Sequence, residues 1–373
     1  MNSLHNKIRV GIIGVDPNRG WASMAHIPAI KALSQYELVA ISNRNYDKLF
    51  EASESLGVSQ AFTNSYELIN SPEVDLVVVT VKVPYHKELV TAILNAGKHV
   101  YCEWPLGNGL DEAIDMVELV RQKQLYGAIG LQARAVPAIA FIRDLVRDGY
   151  IGEVLSTSLI GSGIIQGESI EEAFAYAADS RNGAGMLYST LANTVDALCF
   201  CLGEFESLNA TTATRRKTIT IRETGVSIPM TSFDQVAVTG ILQSGVVASI
   251  HYRGGMFKGT NFYWEIVGTN GELVMTADGG HPGVFEVTIK GANGNGTTLV
   301  NLAVPPEYYL IESIQRHSPA FNLAHNYIRI AQDILEGTKL AATFEDALTR
   351  HKMIAAIEES GLSGIQKNYM STI

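Results

Sequence analysis

Short runs of apolar, β-branched residues alternate with helix-patterned segments through the first 131 residues, and this alternation constrains the fold more than any other feature. The runs Ile8–Gly14, Tyr36–Ser42, Leu76–Val81, His99–Glu103 and Tyr126–Leu131 read as strands. Between them, Asn45–Leu56, Pro84–Ala96 and Leu110–Gln122 carry apolar residues at the three- and four-residue spacing of helices. Strands that alternate with helices predict a parallel, doubly wound sheet covered on both faces. Residues 1–130 are therefore read as one α/β domain.

The first strand runs into Gly14, then D-P-N-R-G-W-A, then a helix-like M-A-H-I-P-A-I-K-A-L. Strand, glycine turn and helix form a nucleotide-binding opening of the Rossmann kind. The turn departs from G-x-G-x-x-G, because Asp16 takes the second glycine position and Gly20 arrives late. Alone, such a turn is equally an ordinary strand end; the strand–helix alternation that follows favours cofactor binding. Candidate contacts in the turn are Gly11, Gly14, Asp16, Arg19, Trp21 and Ala22. An acid about 20 residues further on would hold a ribose 2′-hydroxyl. This chain instead has Ser42-Asn43-Arg44-Asn45, and a hydroxyl, an amide and a guanidinium suit a 2′-phosphate. The expected cofactor is NADP(H), with NAD(H) second; the alternative reading of Arg44 is a solvated loop charge.

At 373 residues the chain exceeds the roughly 250–300 at which a single core stops growing, so two domains are expected. Its net charge of −10, with 28 Lys and Arg forming no basic run, argues against direct nucleic-acid binding and suits a small neutral or polar ligand. No long uninterrupted apolar stretch predicts a membrane span, and M-N-S-L-H-N-K lacks the apolar core of a secretory signal. Cys102, Cys199 and Cys201 are too few for a disulfide framework or a zinc site, which points to a reducing cytoplasm, no metal, and cysteines that serve as small core residues.

Beyond residue 131 the pattern changes. A helix over Val136–Arg147 precedes Ser-, Thr- and β-branched-rich runs at Glu153–Ser162, Phe205–Thr214, Phe233–Leu242, Val246–Tyr252, Phe262–Val267 and Glu272–Met275. With glycine turns between them they predict an antiparallel meander, interrupted by a helix over Gly183–Leu202. Gly291–Gly296 reads as a hairpin tip or loop. Two helices close the chain, with Ser318-Pro319 as one start and Thr343–Asp346 resembling a capping box.

The strand His99–Cys102 ends abruptly in Glu103-Trp104-Pro105. Ligands of open α/β sheets lie outside the carboxyl ends of strands, so this acid and indole are placed to face one.

These residues together resemble the glucose–fructose oxidoreductase/inositol dehydrogenase/MocA (Gfo/Idh/MocA) family. The likeness rests on Ala25-His26-Ile27-Pro28-Ala29, on Thr80, Pro84 and His86, on G-K-H-V-Y-C-E-W-P-L and on T-F-E-D-A at Thr343–Ala347, and it spans essentially the whole chain. Gly20-Trp21-Ala22, Val81-Lys82-Val83-Pro84, Glu103-Trp104 and Leu131-Gln132-Ala133-Arg134 look most similar to the branch that holds a fungal galactose-pathway inhibitor and bacterial relatives. The resemblance implies a Rossmann domain over 1–130, then a substrate and oligomerisation domain over 131–373. The second domain would be an open-faced, mainly antiparallel sheet, with the C-terminal helices packing back near the first. It implies hydride transfer between a sugar or polyol carbon and a nicotinamide. It also implies cofactor contacts from Ser42, Asn43, Arg44, Thr80, Val81, Lys82, Pro84, His86, Glu103, Trp104 and Gln132.

The departures from the family matter as much. Ordinary members read Glu-Lys-Pro where this chain has Glu103-Trp104-Pro105, and an indole N–H donates a hydrogen bond without titrating. Alignment on Gly183, Gly185 and Asp196 puts Ser189 and Asn193 where those members carry a catalytic Asp and His. Tyr188 is the substitute proton carrier, against a role in packing or substrate hydrogen bonding. Lys82 would need burial to act as a base, and His86 is either a contact to cofactor or substrate or a helix-surface histidine. His26 is favoured as structural. Trp104 is a sugar platform, a lid or packing, and Arg134 and Gln132 line the cleft or hold the domains together; Trp104, Arg134, Tyr188 and Asn193 are the substrate-binding candidates. The expected activity is oxidation or reduction of a sugar-like ligand by a homo-oligomer joined through the open sheet face. The alternative is a catalytically silent, cofactor-binding regulator with a protein partner.

Overall fold

The computed structural model describes residues 7–316 and 318–370. The opening residues Met1–Asn6, part of the stretch read above as lacking a signal core, lie outside the described residues. The chain divides into two compact units. One is the described part of Met1–Ala135 with Tyr309–Leu348; the other is Val136–Tyr308 with the described part of Thr349–Ile373.

In the first unit, β1 (Ile8–Ile13), β2 (Tyr36–Ser42), β3 (Gln60–Phe62), β4 (Leu76–Val79), β5 (His99–Cys102) and β6 (Gly127–Ile129) form a six-stranded sheet. Its order is β3-β2-β1-β4-β5-β6, and each adjacent pair is parallel. Successive side chains point to opposite faces, so Val10, Ile12, Leu76, Val78 and Tyr101 enter one apolar cluster while Ile13, Val77, Val79, Val100 and Cys102 enter another. Both faces being buried explains why β4 reads as an unbroken apolar run and why most of β1 and β5 is apolar. The helix Pro319–Glu336 contributes Phe321, Leu323, Tyr327 and Ile330 to the first cluster, and His86–Asn95 and Leu110–Lys123 cover the second. β3 and the helix Ser65–Asn70 went unseen in the sequence, being too short to show a period.

The caps fall where the side-chain chemistry predicts, with one exception. Asn45 accepts a hydrogen bond from the Lys48 amide at the start of the helix Tyr46–Leu56. The Asp346 carboxylate accepts from the Thr343 amide at 2.8 Å, one half of a capping box. Ser318 takes the N-cap position before Pro319, but its hydroxyl makes no capping bond.

The second unit contains β7 (Val154–Gly163), β8 (Ser169–Ile170), β9 (Phe205–Ala213), β10 (Thr218–Ile221), β11 (Ser227–Pro229), β12 (Gln235–Leu242), β13 (Val247–Gly254), β14 (Phe262–Gly268), β15 (Gly271–Ala277), β16 (Val287–Asn293) and β17 (Val300–Asn301). Eight of them pair in the order β17-β16-β15-β14-β7-β13-β12-β9. The sheet is mainly antiparallel, as expected, but it is no meander: β7 inserts between β14 and β13 and runs parallel to β13. Neighbours in sequence do not dictate neighbours in a sheet when a strand enters from an earlier segment, which is why the topology was misread. Gly291 likewise lies inside β16 rather than in a loop, and β8, β10 and β11 form a small separate sheet. Alternate residues of the large sheet are buried, Leu159, Val236, Val238, Ile250, Tyr252 and Trp264 among them. Ile160, Ile241 and Val247 lie exposed on its other face. The segment read as one helix over Gly183–Leu202 is a π-helical turn, Leu187–Leu191, followed by the helix Ala192–Leu202.

Candidate functional site

The register of the first sheet decides which residues share its carboxyl edge. Ile13 pairs with Ser42 and with Val79, Val79 with Cys102, and Cys102 with Ile129. The next residue of each strand therefore stands in one row: Gly14, Asn43, Thr80, Glu103 and Gly130. Each was singled out from the sequence except Gly130.

The row is tied together by short polar bonds. Gly14 adopts φ 99°, and a Cβ there would lie 3.0 Å from Thr80 Oγ1, so the turn passes close under Thr80. The Thr80 hydroxyl donates to the Ile13 carbonyl, and Asn43 Nδ2 donates to the Val15 carbonyl. Asp16 accepts from Lys48 Nζ at 2.7 Å, from the Asn18 amide and from Arg19 Nε. Burial opposes its ionisation, but these bonds win and hold its carboxyl below the ordinary carboxylate range. Asp16 thus fastens the turn to the helix Tyr46–Leu56, a task a glycine could not perform. Gly11 lies inside β1 under Leu68, Trp21 is half-buried, and Ala22 opens the π-helical turn Ala22–His26.

Arg44 is exposed at the end of β2, with its guanidinium 5.0 Å from the centre of the Tyr85 ring. The two line a cavity of ≈ 260 Å³ with Thr63, Asn64, Ser65 and Glu88. The cavity thus presents a cation, hydroxyls, an amide, an aromatic face and the Glu88 carboxylate. Together with the close-passing glycine turn, this set fits a dinucleotide.

Glu103 is held by two donors. Gln132 Nε2 lies 3.0 Å from each carboxylate oxygen, and His26 Nε2 lies 2.9 Å from Oε1. His26 is fully buried, and its Nδ1 lies 2.7 Å from the Tyr327 hydroxyl. This pattern fits a ring that donates from Nε2 to the carboxylate and accepts from the phenol at Nδ1. Tyr101 packs edge-on to both rings and accepts a hydrogen bond from Asn326 at its hydroxyl. Tyr101, Tyr327 and Asn326 went unremarked in the sequence. Only the alternation that places Tyr101 on the same side as Glu103 hinted at them, since Tyr327 is 301 residues from His26.

His86 is 1% exposed, with Nδ1 2.8 Å from the Pro105 carbonyl and Nε2 2.9 Å from the Val81 carbonyl. Burial pushes its pKa down. The ring ties the loop after β4 to the loop after β5, which explains a histidine at this spacing without chemistry. Lys82 and Pro84 are exposed, Val81 and Trp104 half-buried. Arg134 pairs with Asp346 at 2.7 Å.

In the second unit, Tyr188 lies in the π-helical turn and its hydroxyl lies 3.1 Å from both carboxylate oxygens of Glu358. Burial, together with the charge of Glu358, pushes the phenol's pKa above its ordinary value. Glu358 is pushed up as well, by burial. The Ser189 hydroxyl donates to the Gly185 carbonyl, Asn193 is buried, and Asp196 is fully buried in an ion pair with Arg350. Nothing local in the sequence linked Glu358 to Tyr188, 170 residues earlier. Among the described residues no group of His, Cys, Asp and Glu has the geometry of a metal site, and no helix is long and apolar enough to cross a membrane.

Comparison with known proteins agrees with this geometry. Residues 8–130 match the oxidoreductase family with an NAD-binding Rossmann fold, and residues 137–277 match the C-terminal domain of Gal80p. Dehydrogenase aclE of Aspergillus oryzae is 26% identical over 98% of this chain and 99% of its own length. The galactose/lactose metabolism regulatory protein GAL80 of Saccharomyces cerevisiae is 25% identical over 97% of this chain and 94% of its own. The crystal structure of a Gal80p super-repressor mutant from that yeast superposes with a TM-score of 0.88, at 23% identity over 98% of this chain and all of that one. Levoglucosan dehydrogenase, in complex with NADH and L-sorbose, superposes at 0.83 with 20% identity, over 97% of this chain and 99% of that one. Residues 8–130 thus carry the NAD-binding Rossmann domain of the Gfo/Idh/MocA oxidoreductase family, and residues 137–277 carry a domain of the Gal80p C-terminal type.

Proposed function

We propose that this protein is an oxidoreductase that uses NADP(H), or in second place NAD(H), to oxidise or reduce a hydroxyl-bearing carbon of a sugar or polyol. The observation that carries the reading is the row Gly14, Asn43, Thr80 and Glu103 at the carboxyl edge of the sheet, with Arg44 beside its cavity. The proposed cofactor contacts are Gly11, Gly14, Asp16, Arg19, Trp21 and Ala22 in the turn, then Ser42, Asn43 and Arg44, then Thr80, Val81, Lys82, Pro84 and His86, and finally Glu103, Trp104 and Gln132. When bound, the dinucleotide supplies a nicotinamide that exchanges a hydride with the substrate carbon. The chain's own part is to hold the ribose and phosphates at the strand ends and to keep Glu103 fixed through His26 and Gln132.

Candidates for substrate contact are Trp104 and Arg134 in the first unit and Tyr188 and Asn193 in the second. Trp104 offers an aromatic face of the kind sugars stack on. For the proton we favour Tyr188 over Lys82 and His86: Lys82 is exposed, and both ring nitrogens of His86 face backbone carbonyls. The three free cysteines support a reducing, cytoplasmic setting, and the exposed apolar residues Ile160, Ile241 and Val247 support a homo-oligomer joined through the large sheet. An absorbance screen of both cofactors against sugars and polyols tests the activity; reduction of NADP by at least one of them is expected, and none at all would sink it.

One observation favours a second reading, a cofactor-binding regulator without turnover. Trp104, Ser189 and Asn193 offer no titratable group, and the Ser189 hydroxyl is engaged with its own helix. A stoichiometric protein partner recovered from lysate, with no turnover in the screen, would establish it.

A further inference from the structure

We propose that Glu103 determines specificity for the redox state of the dinucleotide: its fixed carboxylate acts on the nicotinamide end and shifts binding toward the oxidised, cationic form. The inference rests on the dinucleotide-binding part of the reading above and deepens it; it does not depend on turnover.

The strand order divides the cofactor between the two halves of the sheet. In the order β3-β2-β1-β4-β5-β6 the direction of winding reverses between β1 and β4, and a dinucleotide lies across such a point with one nucleotide over each half. Gly14 and Thr80 flank the reversal, where the glycine turn passes close under the Thr80 hydroxyl. The ribose beside the adenine is read at the end of β2, where Arg44 and its cavity lie. The nicotinamide nucleotide then belongs to the half made of β4, β5 and β6. Glu103, the residue after β5, stands one strand beyond Thr80, a spacing of about 4.8 Å. Of the row Gly14, Asn43, Thr80, Glu103 and Gly130, it alone carries a charge.

That charge is held in place rather than cancelled. Gln132 Nε2 and His26 Nε2 bond the carboxylate as N–H donors. Burial keeps Tyr327 as the phenol, so its hydroxyl has a hydrogen to give to His26 Nδ1, and His26 donates from Nε2 as the neutral ring. The field of the carboxylate reaches its neighbours: burial first, and then the charge of Glu103, pushes up the pKa of the Tyr101 phenol and of the Cys102 thiol. The Glu103 side chain is still 17% exposed, which leaves the carboxylate accessible at the sheet edge.

The two redox states of the cofactor differ in charge at the ring. Oxidised nicotinamide is a pyridinium cation, and the reduced dihydropyridine is neutral. A partly buried carboxylate attracts the first and is indifferent to the second, a difference of about 10- to 100-fold in affinity. The same preference lowers the reduction potential of the bound couple, since whichever state binds more tightly is the state the protein favours.

The test is a calorimetric titration of the full chain with NADP⁺, with NADPH and with adenosine 2′,5′-bisphosphate, which lacks the nicotinamide; NAD⁺, NADH and AMP replace them if the protein takes that pair instead. Glu103→Gln keeps the shape and one acceptor but removes the charge. Its affinity for NADP⁺ should fall about 10- to 100-fold, while NADPH and the bisphosphate keep theirs. Glu103→Asp, with the charge drawn back by one methylene, should shift the NADP⁺ to NADPH ratio in the same direction by a smaller factor, and it stands in for the amide variant should that one fail to fold. An unchanged ratio, or equal losses for all three probes, overturns the role of Glu103 and leaves dinucleotide binding intact. A wild type that binds none of the four dinucleotides overturns the dinucleotide reading and this proposal with it.

Discussion

His26 Nε2 and Glu103 Oε1, 2.9 Å apart, join the first helical turn of the chain to the end of its fifth strand. The ring is fully buried, whereas 17% of the Glu103 side chain remains exposed. The carboxylate is thereby fixed from its buried side and left open on the other. Replacing His26 with Phe keeps the volume but strands the Tyr327 hydroxyl and removes one of two donors to Glu103. The expected loss is about 1–3 kcal/mol of stability, read from urea unfolding, with weaker dinucleotide binding in a fluorescence titration.

Gly130 presses on the same carboxylate from just beyond the sixth strand. A Cβ there would lie 2.8 Å from Glu103 Oε2 and 2.9 Å from the Trp104 amide. Gly130→Ala is expected to displace Glu103, weakening cofactor binding and costing about 1–3 kcal/mol of stability. Unchanged affinity in the titration would show that the position of Glu103 does not matter to the cofactor.

Arg44 is the residue that would choose between the two dinucleotides. A charge-assisted bond to a 2′-phosphate contributes about 1.5–3 kcal/mol, so Arg44→Ala should weaken NADP binding about 10- to 100-fold and leave NAD binding nearly unchanged. Equal losses for both cofactors would mean that Arg44 reads no 2′-phosphate.

Stability should fall as the solution is acidified below pH 6.5. Fully buried His325 accepts a hydrogen bond from the Leu310 amide at Nε2, and its Nδ1 lies 2.9 Å from the Phe321 carbonyl, an arrangement that requires the neutral ring. Burial, aided by nearby Arg329, lowers its pKa to about 4. Between pH 6.5 and 4 the unfolded chain binds a proton that the folded one refuses, so stability falls as the pH falls through that window and levels off below it. The contribution is about 3 kcal/mol. Urea midpoints of the wild type and His325→Gln at pH 7, 5.5 and 4 check it; the difference between the two proteins should shrink on acidification.

Much of this protein follows from local pattern alone. Tyr36–Ser42 was legible to the residue as a mostly apolar, β-branched run that stops at the polar Ser42-Asn43, and the helix starting after Asn45 was legible because its cap is a local bond. Gly14, the Ser42–Arg44 strand end and Glu103 could be picked out as residues of the sheet's carboxyl edge, because strand ends are marked by where apolar runs stop. What only the tertiary structure decided depends on contacts distant in the chain. The entry of β7 between β14 and β13, the grip of His26 and Tyr327 on Glu103, and the pairing of Tyr188 with Glu358 each join segments 77 or more residues apart, and no period or cap records which distant partner a side chain will meet. The row at the sheet's carboxyl edge was therefore readable in advance, because it is built from where the strands stop. The Tyr188–Glu358 pair was not, because its two halves meet only when the chain is folded.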